Sequence, residues 1–447
     1  MQTAASATGS GSASDALFRR SAEVIAGGVV SLNRKVDPGL AFVRAQGSRL
    51  WDADGREYID YHAAFAPHLL GHNDPEVNDA VLRAMREGWS LMGTGTTPWE
   101  VRLAELLTEV VPSLQRVQLV NTGTEAVALA VRLARAWTGR EDVIVMLGGY
   151  NGWSDDVARS VAPPLSEIGP RVSPGEYRFL PITAGLPRET VRRVHVVNFN
   201  DAASVQYVLG RHPVACVLTE PVLQNVGVLP PAPGYLAELR SLCDLHGALL
   251  VFDEVKTGFR SALGGYQSIA GVRPDLSVFG KAVAGGHPLA VLGGHADIMG
   301  LFDSKEASRR VLVAGTYNAH PVPVAAAIAT IERLKRNGGE VHARLETLGA
   351  RLQKGLEEIY RDRGLAAVVS RIGSAFATYF CDRVPADWHE LAARHDFELD
   401  RRLRRALIDL GVYHFPIPTK QGSISAAHTE ADIDRTLERT REALRRV

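Results

Sequence analysis

Asp253 and Lys281 have residue types and a spacing that point to chemistry. Val-Phe-Asp-Glu-Val-Lys-Thr-Gly-Phe-Arg occupies residues 251–260, and Val-Phe-Gly-Lys ends at Lys281. An apolar run from Ala248 to Phe252 leads to Asp253. A second, from Leu276 to Phe279, leads to Lys281. An amine at one strand end can form a Schiff base with an aldehyde. An acid at the neighbouring strand end can keep a heteroaromatic nitrogen protonated, so that the ring accepts electrons from a carbanion. This is the pair that pyridoxal phosphate chemistry requires. The same residues also have plainer uses, Asp253 as a helix cap or ion-pair partner and Lys281 as a solvated loop residue.

Further segments could complete such a site. Asn121-Thr-Gly-Thr-Glu125 falls between a strand and a helix. A helix N-terminus has free N–H groups and a positive dipole end, which suits phosphate. Gly123 lets the backbone approach, and Thr122 and Thr124 add hydroxyls, although Thr124 could instead be the N-cap. The segment is not a Walker loop, and it lacks the G-x-G-x-x-G spacing of a dinucleotide site, which argues against a nicotinamide dehydrogenase. Gly148-Gly149-Tyr150-Asn151-Gly152-Trp153 follows the next apolar run, and Tyr150 could stack on a flat ring or serve as a rim aromatic.

Elements that position these residues are legible in the hydrophobic pattern. Arg116–Val120, Val143–Leu147, Val194–Phe199, Val214–Thr219, Ala248–Phe252 and Leu276–Phe279 read as buried strands. Thr124–Trp137 has helical periodicity. The alternation predicts an α/β fold with βαβ units and a mainly parallel sheet. Ligands on such sheets sit at the carboxyl ends of strands, where Asn121, Tyr150, Glu220, Asp253 and Lys281 all fall. Residues 155–190 hold six prolines and no sustained period, and read as a lid, a binding loop or a plain surface excursion. After Ala325 helices dominate. Phe376–Cys381 and Gly422–Ala426 suggest strands of a small α+β domain, with which the Arg49–Tyr61 hairpin is expected to pack. The expected division is a disordered tail at 1–14, an N-terminal segment at 15–95, a large domain at 96–325 and a small domain at 326–447.

Bulk properties exclude several function classes. The chain has 447 residues, 46% of them apolar and 22% charged, with 50 basic and 50 acidic side chains. This is a globular composition with no basic surplus for nucleic acid or a membrane surface. Arg401-Arg402-Leu403-Arg404-Arg405 reads as a solvated helix face. Cys216, Cys243 and Cys381 are odd in number and widely spaced, which fits a cytoplasmic protein without disulfides or zinc. No apolar run approaches bilayer length, and the first 14 residues lack the features of a signal peptide.

Taken together, the motifs resemble the fold-type I pyridoxal phosphate enzymes, specifically the class III aminotransferases, and within them the glutamate-1-semialdehyde 2,1-aminomutase subgroup. The resemblance spans roughly residues 20–440. It rests on Asn-Thr-Gly-Thr-Glu-Ala at 121–126, Gly-Tyr-Asn-Gly-Trp at 149–153, Thr-Glu-Pro-Val at 219–222, Phe-Asp-Glu-Val-x-Thr-Gly-Phe-Arg at 252–260, Gly-Lys-x-x-x-Gly-Gly at 280–286 and Ala-Gly-Thr at 314–316. It implies a large domain with a mainly parallel sheet of the seven-stranded type. It also implies that Lys281 carries the Schiff base and shuttles a proton, that Asp253 pairs with the pyridinium, and that Thr122, Gly123 and Thr124 hold the phosphate. Tyr150 would stack on the ring and Asn225 would lie near the phenolic oxygen. Thr316 would reach the phosphate of the neighbouring subunit in a homodimer. Ser31 and Arg34 would grip a substrate carboxylate, as a planar guanidinium does well.

Three departures stand out. The family commonly has His where Asn151 stands and an apolar residue where Lys256 stands. An acidic position of the aminomutase, just before Ser-x-Ala-His, aligns with Lys420. Inverting that charge disfavours a diamino intermediate and favours a second carboxylate or a hydroxylated ligand. The expectation is therefore an aminotransferase acting by a ping-pong cycle on small amino and oxo substrates. The alternatives are the intramolecular aminomutase, a racemase or epimerase, and a scaffold without catalysis.

Overall fold

The computed structural model of the protein describes residues 12–447. Most of the expected tail, residues 1–11, lies outside these. Ala13 and Ser14 begin a helix, α1 (Ala13–Val24), which Ser12 and Asp15 close with a capping box. They are therefore not part of a tail.

The buried apolar runs form one seven-stranded sheet. In chain order, three short strands come first: β1 (Phe42–Gln46), β2 (Arg49–Asp52) and β3 (Glu57–Asp60). The large sheet then uses β4 (Arg116–Val120), β5 (Asp142–Leu147), β6 (Val194–Asn198), β7 (Val214–Thr219), β8 (Leu249–Asp253), β9 (Leu276–Phe279) and β10 (Ala290–Gly294). Its order is β4-β10-β9-β8-β7-β5-β6. Neighbours from β9 to β6 run parallel, whereas β10 is antiparallel to both β4 and β9. β10 is a strand that the sequence reading does not include. Every residue of β5, β7 and β8 is buried, as expected for strands covered on both faces.

A second sheet joins β1, β2 and β3 to β13 (Val412–Tyr413), after β11 (Val368–Ile372) and β12 (Ala375–Tyr379). β14 (Gly422–Ser423) completes a third sheet in the order β11-β12-β14. β13 pairs parallel with β3, Val412 opposite Ile59, so the N-terminal hairpin shares a sheet with a C-terminal strand. Helices α2 (Pro75–Arg86) and α3 (Pro98–Val110) pack on the helix Pro321–Lys335, which runs without a break through the boundary expected at 325.

Residues 155–190 are held down rather than free. Trp388 Nε1 donates to the Pro163 carbonyl at 2.9 Å, His389 Nε2 lies 3.1 Å from the Gly169 carbonyl, and Arg171 pairs with Asp387. The arginine run is also not uniformly solvated. Arg404 is buried, bonded to Asp400, and donates to the carbonyls of Phe415 and Lys420. The turn of helix that carries it faces the loop before β14. The three cysteines are free and buried, and among the described residues no helix is long and apolar enough to cross a membrane.

Candidate active site

Thr122, not Thr124, caps α4 (Gly123–Thr138). Its hydroxyl accepts the Glu125 N–H at 3.2 Å. The Glu125 carboxylate reaches back to the amides of Asn121 and Thr122 at 2.9 and 2.8 Å. This capping box leaves the amides of Gly123 and Thr124 without a protein acceptor among the described residues. Two free donors at the positive end of a sixteen-residue helix make a phosphate cradle. Gly152 closes it. Its φ is +105°, and a Cβ there would come within 2.7 Å of the Thr124 hydroxyl.

Asp253 ends β8, buried, with one oxygen accepting the Asn151 side-chain amide at 2.8 Å and the other the Val255 N–H at 3.1 Å. Burial pushes its carboxyl above the usual range, while those two bonds and the charge of Lys281 act the other way. Asn151 is held in turn by the buried Arg159, which also donates to the carbonyls of Met146 and Gly149 at 2.9 and 3.0 Å. The departure at Asn151 thus keeps a donor on Asp253.

Lys281 follows β9 with φ +47°, a conformation that costs a non-glycine residue energy and is tolerated where surrounding structure imposes it. Burial lowers its pKa from the ordinary lysine value. Asp253 and Glu220 partly restore it, and the buried Arg260, which has no acid partner among the described residues, lowers it further. The neutral amine needed for nucleophilic attack is therefore more accessible than on an exposed lysine.

Glu220 has an organising position. Its oxygens accept the Tyr150 N–H at 2.8 Å, the Gln224 N–H at 3.1 Å, and the Asn225 side-chain amide at 3.1 and 3.2 Å. It ties together the Tyr150 turn and Asn225 across β5 and β7. Burial and the nearby Asp253 raise its pKa.

Two cavities meet here. One of about 410 Å³ is lined by Asn121–Thr124, Tyr150, Asp253 and Lys281. The other, of about 880 Å³, opens past Arg34, the 155–190 segment, Trp388 and the Phe415–Lys420 loop. They share Ser31, Tyr150, Asn225, Lys256 and Lys281. The expected site residues thus come together, with one exception. Thr316 is exposed and lines neither cavity, although its loop is tethered to the cradle by a bond from Asn121 to Asn318 at 3.0 Å. Lys256 and Lys420 both point into the site. Their ammonium groups donate to the carbonyls of Gln224 and Asn225 at 2.7 and 2.8 Å.

The free amides, the buried carboxylate, the aromatic face of Tyr150 and a lysine of lowered pKa fit pyridoxal phosphate group by group. Aminotransferase class-III is the family whose profile matches the chain, over residues 31–418. The chain belongs to the class-III aminotransferases. Its cofactor is pyridoxal phosphate, and a solved transaminase with that cofactor bound superimposes with a TM-score of 0.84, at 30% identity over 97% of both chains. An omega-transaminase from Sphaerobacter thermophilus superimposes at a TM-score of 0.89, with 33% identity over 97% of this chain and 98% of that one. A glutamate-1-semialdehyde 2,1-aminomutase of Sorangium cellulosum (strain So ce56) is 39% identical over 439 residues, 97% of this chain and 96% of that protein. Sequence reasoning did not find Arg159, whose place in a proline-rich segment carries no signal. Nor did it foresee that Lys256 lines the cavities.

Proposed function

We propose that this class-III aminotransferase transfers an amino group between separate substrates, from an amino donor to a carboxylate-bearing oxo acceptor, in a ping-pong cycle. Pyridoxal phosphate, when bound, supplies the aldehyde that carries the amino group and the ring that takes up an electron pair. The Gly123 and Thr124 amides would hold its phosphate and Asp253 its ring nitrogen. Lys281 Nζ would take a proton from the substrate carbon and return it, as the general base and acid of both halves. Arg34 lines the larger cavity and has no acid partner among the described residues, leaving its planar fork free for a carboxylate.

The observation that carries this reading is the charge of the larger cavity. Arg34, Lys256, Lys281, Lys420 and Arg401, the last paired with Glu398, line it, and among the described residues no acid does. A diamino intermediate would be repelled there, and a carboxylate welcomed. The intramolecular aminomutase is the second reading, favoured by the relative of that name at 39% identity.

The deciding experiment is the absorbance spectrum of the purified protein with glutamate, alanine and glutamate-1-semialdehyde added separately. Loss of the visible cofactor band with an ordinary amino acid, and release of its oxo acid, supports intermolecular transfer. If only the semialdehyde changes the band, and 5-aminolevulinate forms with no second substrate, the reaction is intramolecular.

A further inference from the structure

We propose that Lys256 and Lys420 form an anion subsite that holds a second substrate carboxylate, which makes this protein selective for dicarboxylic amino and oxo acids. The inference rests on the aminotransferase reading above and names its substrate class.

The two lysines come from different parts of the chain. Lys256 follows β8, and Lys420 lies between β13 and β14. Their ammonium groups nevertheless anchor on the carbonyls of adjacent residues, Gln224 and Asn225. Each ammonium has three donors and places one on a carbonyl. Neither makes an ion pair among the described residues. The acid whose charge acts on both is Glu220, and both its oxygens are occupied by amide donors from Tyr150, Gln224 and Asn225. Two lysine side chains are thus withdrawn from water beside Lys281, with donors to spare and no counter-ion in contact. Burial lowers the pKa of both, Lys256 well below the ordinary lysine value with the charges of Lys281 and Lys420 adding to it, so that an arriving carboxylate would favour their charged forms. Such an arrangement is costly unless an anion completes it.

The subsite is also built to stay in place. Arg404 donates to the Lys420 carbonyl at 3.0 Å and to the Phe415 carbonyl at 3.0 Å. Asp400 accepts the Thr419 N–H at 2.6 Å while holding Arg404 and His395. This buried triad fixes the loop that carries Lys420, and Thr419 takes φ +65° within it. A preorganised cationic pair loses little entropy when it binds an anion. Arg34, on the N-terminal segment, supplies a separate grip for the first carboxylate. A ligand with carboxylates at both ends can use both grips, and a monocarboxylate can use one.

The test is calorimetric binding of two unreactive probes, glutarate and butyrate, to the cofactor-loaded protein. Glutarate should bind about tenfold tighter or better, the gain expected from charged hydrogen bonds. Lys256→Met and Lys420→Met should each lose most of that advantage while keeping the visible cofactor band and the far-UV circular dichroism, and Lys420→Arg should restore part of it. In turnover, the variants should raise KM for 2-oxoglutarate by a larger factor than KM for pyruvate. Equal affinity of the wild-type protein for glutarate and butyrate overturns the subsite, and needs no variant to fold. So does an advantage for glutarate that survives both substitutions. Tight glutarate binding without amino transfer to either oxo acid supports the subsite and overturns the aminotransferase reading instead.

Discussion

At the scale of single residues, the site works by withdrawing charge from water and choosing its partners. Lys281→Ala should abolish amino transfer, and borohydride should no longer attach the cofactor covalently to the chain, as intact mass will show. Asp253→Asn should fold and still bind the cofactor, yet lose on the order of 10²–10³-fold in turnover, because a fixed charge opposite the ring is replaced by a dipole. Near-normal rates would remove Asp253 from the mechanism. Lys420 connects function to stability. It is faced by Lys256, Glu220, Arg404, Asp400 and His414, and burial, with Arg404, takes its pKa from the ordinary 10.5 down to about 8. The native state therefore binds fewer protons than the unfolded chain between about 8 and 10.5, and this group makes stability rise with pH across that window. Below about 8 the full penalty applies. Lys420→Met should accordingly stabilise the protein by about 1–3 kcal/mol at neutral pH, with the gain fading toward pH 10.5 in denaturant titrations. Dicarboxylate affinity of the wild-type protein should fall as pH rises through about 8.

At the scale of elements, the helix cap and the phosphate cradle are one device. Thr122 and Glu125 satisfy the amides that a cap can reach, and the two left over face the smaller cavity. Thr122→Ala should cost about 1 kcal/mol of stability, read as a lower unfolding midpoint, and should weaken cofactor retention on dilution. A drop in midpoint with unchanged retention would confine Thr122 to the cap. The 155–190 segment illustrates a different point. Its prolines and missing periodicity mark it as irregular, but its anchors, Trp388 and Asp387, lie more than two hundred residues away. It contributes Ser160, Val161, Leu165 and Ile182 to the wall of the larger cavity. No local pattern announces such a partner.

At the scale of the whole molecule, Thr316 stands apart from both cavities. If Thr316 serves the neighbouring subunit, as the motif resemblance implies, inactive Lys281→Ala chains should rescue chains carrying Thr316→Ala. In the mixed dimer one site combines an intact Lys281 with an intact Thr316, and about half the sites of that species should be competent. Subunit-exchange assays that show no gain over the separate variants would place the Thr316 contact within its own chain or nowhere. Sizing chromatography of the cofactor-loaded protein checks the dimer itself.

The sequence by itself determined six of the seven strands of the large sheet, the strand-end placement of Asp253 and Lys281, and a helix after Asn121, read as starting one residue later than it does. Each follows from local signals: apolar runs, capping residues and glycines whose effects act over a few positions. It also marked Asn151, Lys256 and Lys420 as unusual. Tertiary structure alone decided what they do. Asn151 meets Asp253 across 102 positions, and Lys420 meets Asn225 across 195. β10 inserts between β4 and β9, and Arg404 turns inward from a charged run to hold a loop. Hydrogen bonds and charges of this kind carry no periodicity, so they become legible only when folding brings distant segments within about 3 Å of one another.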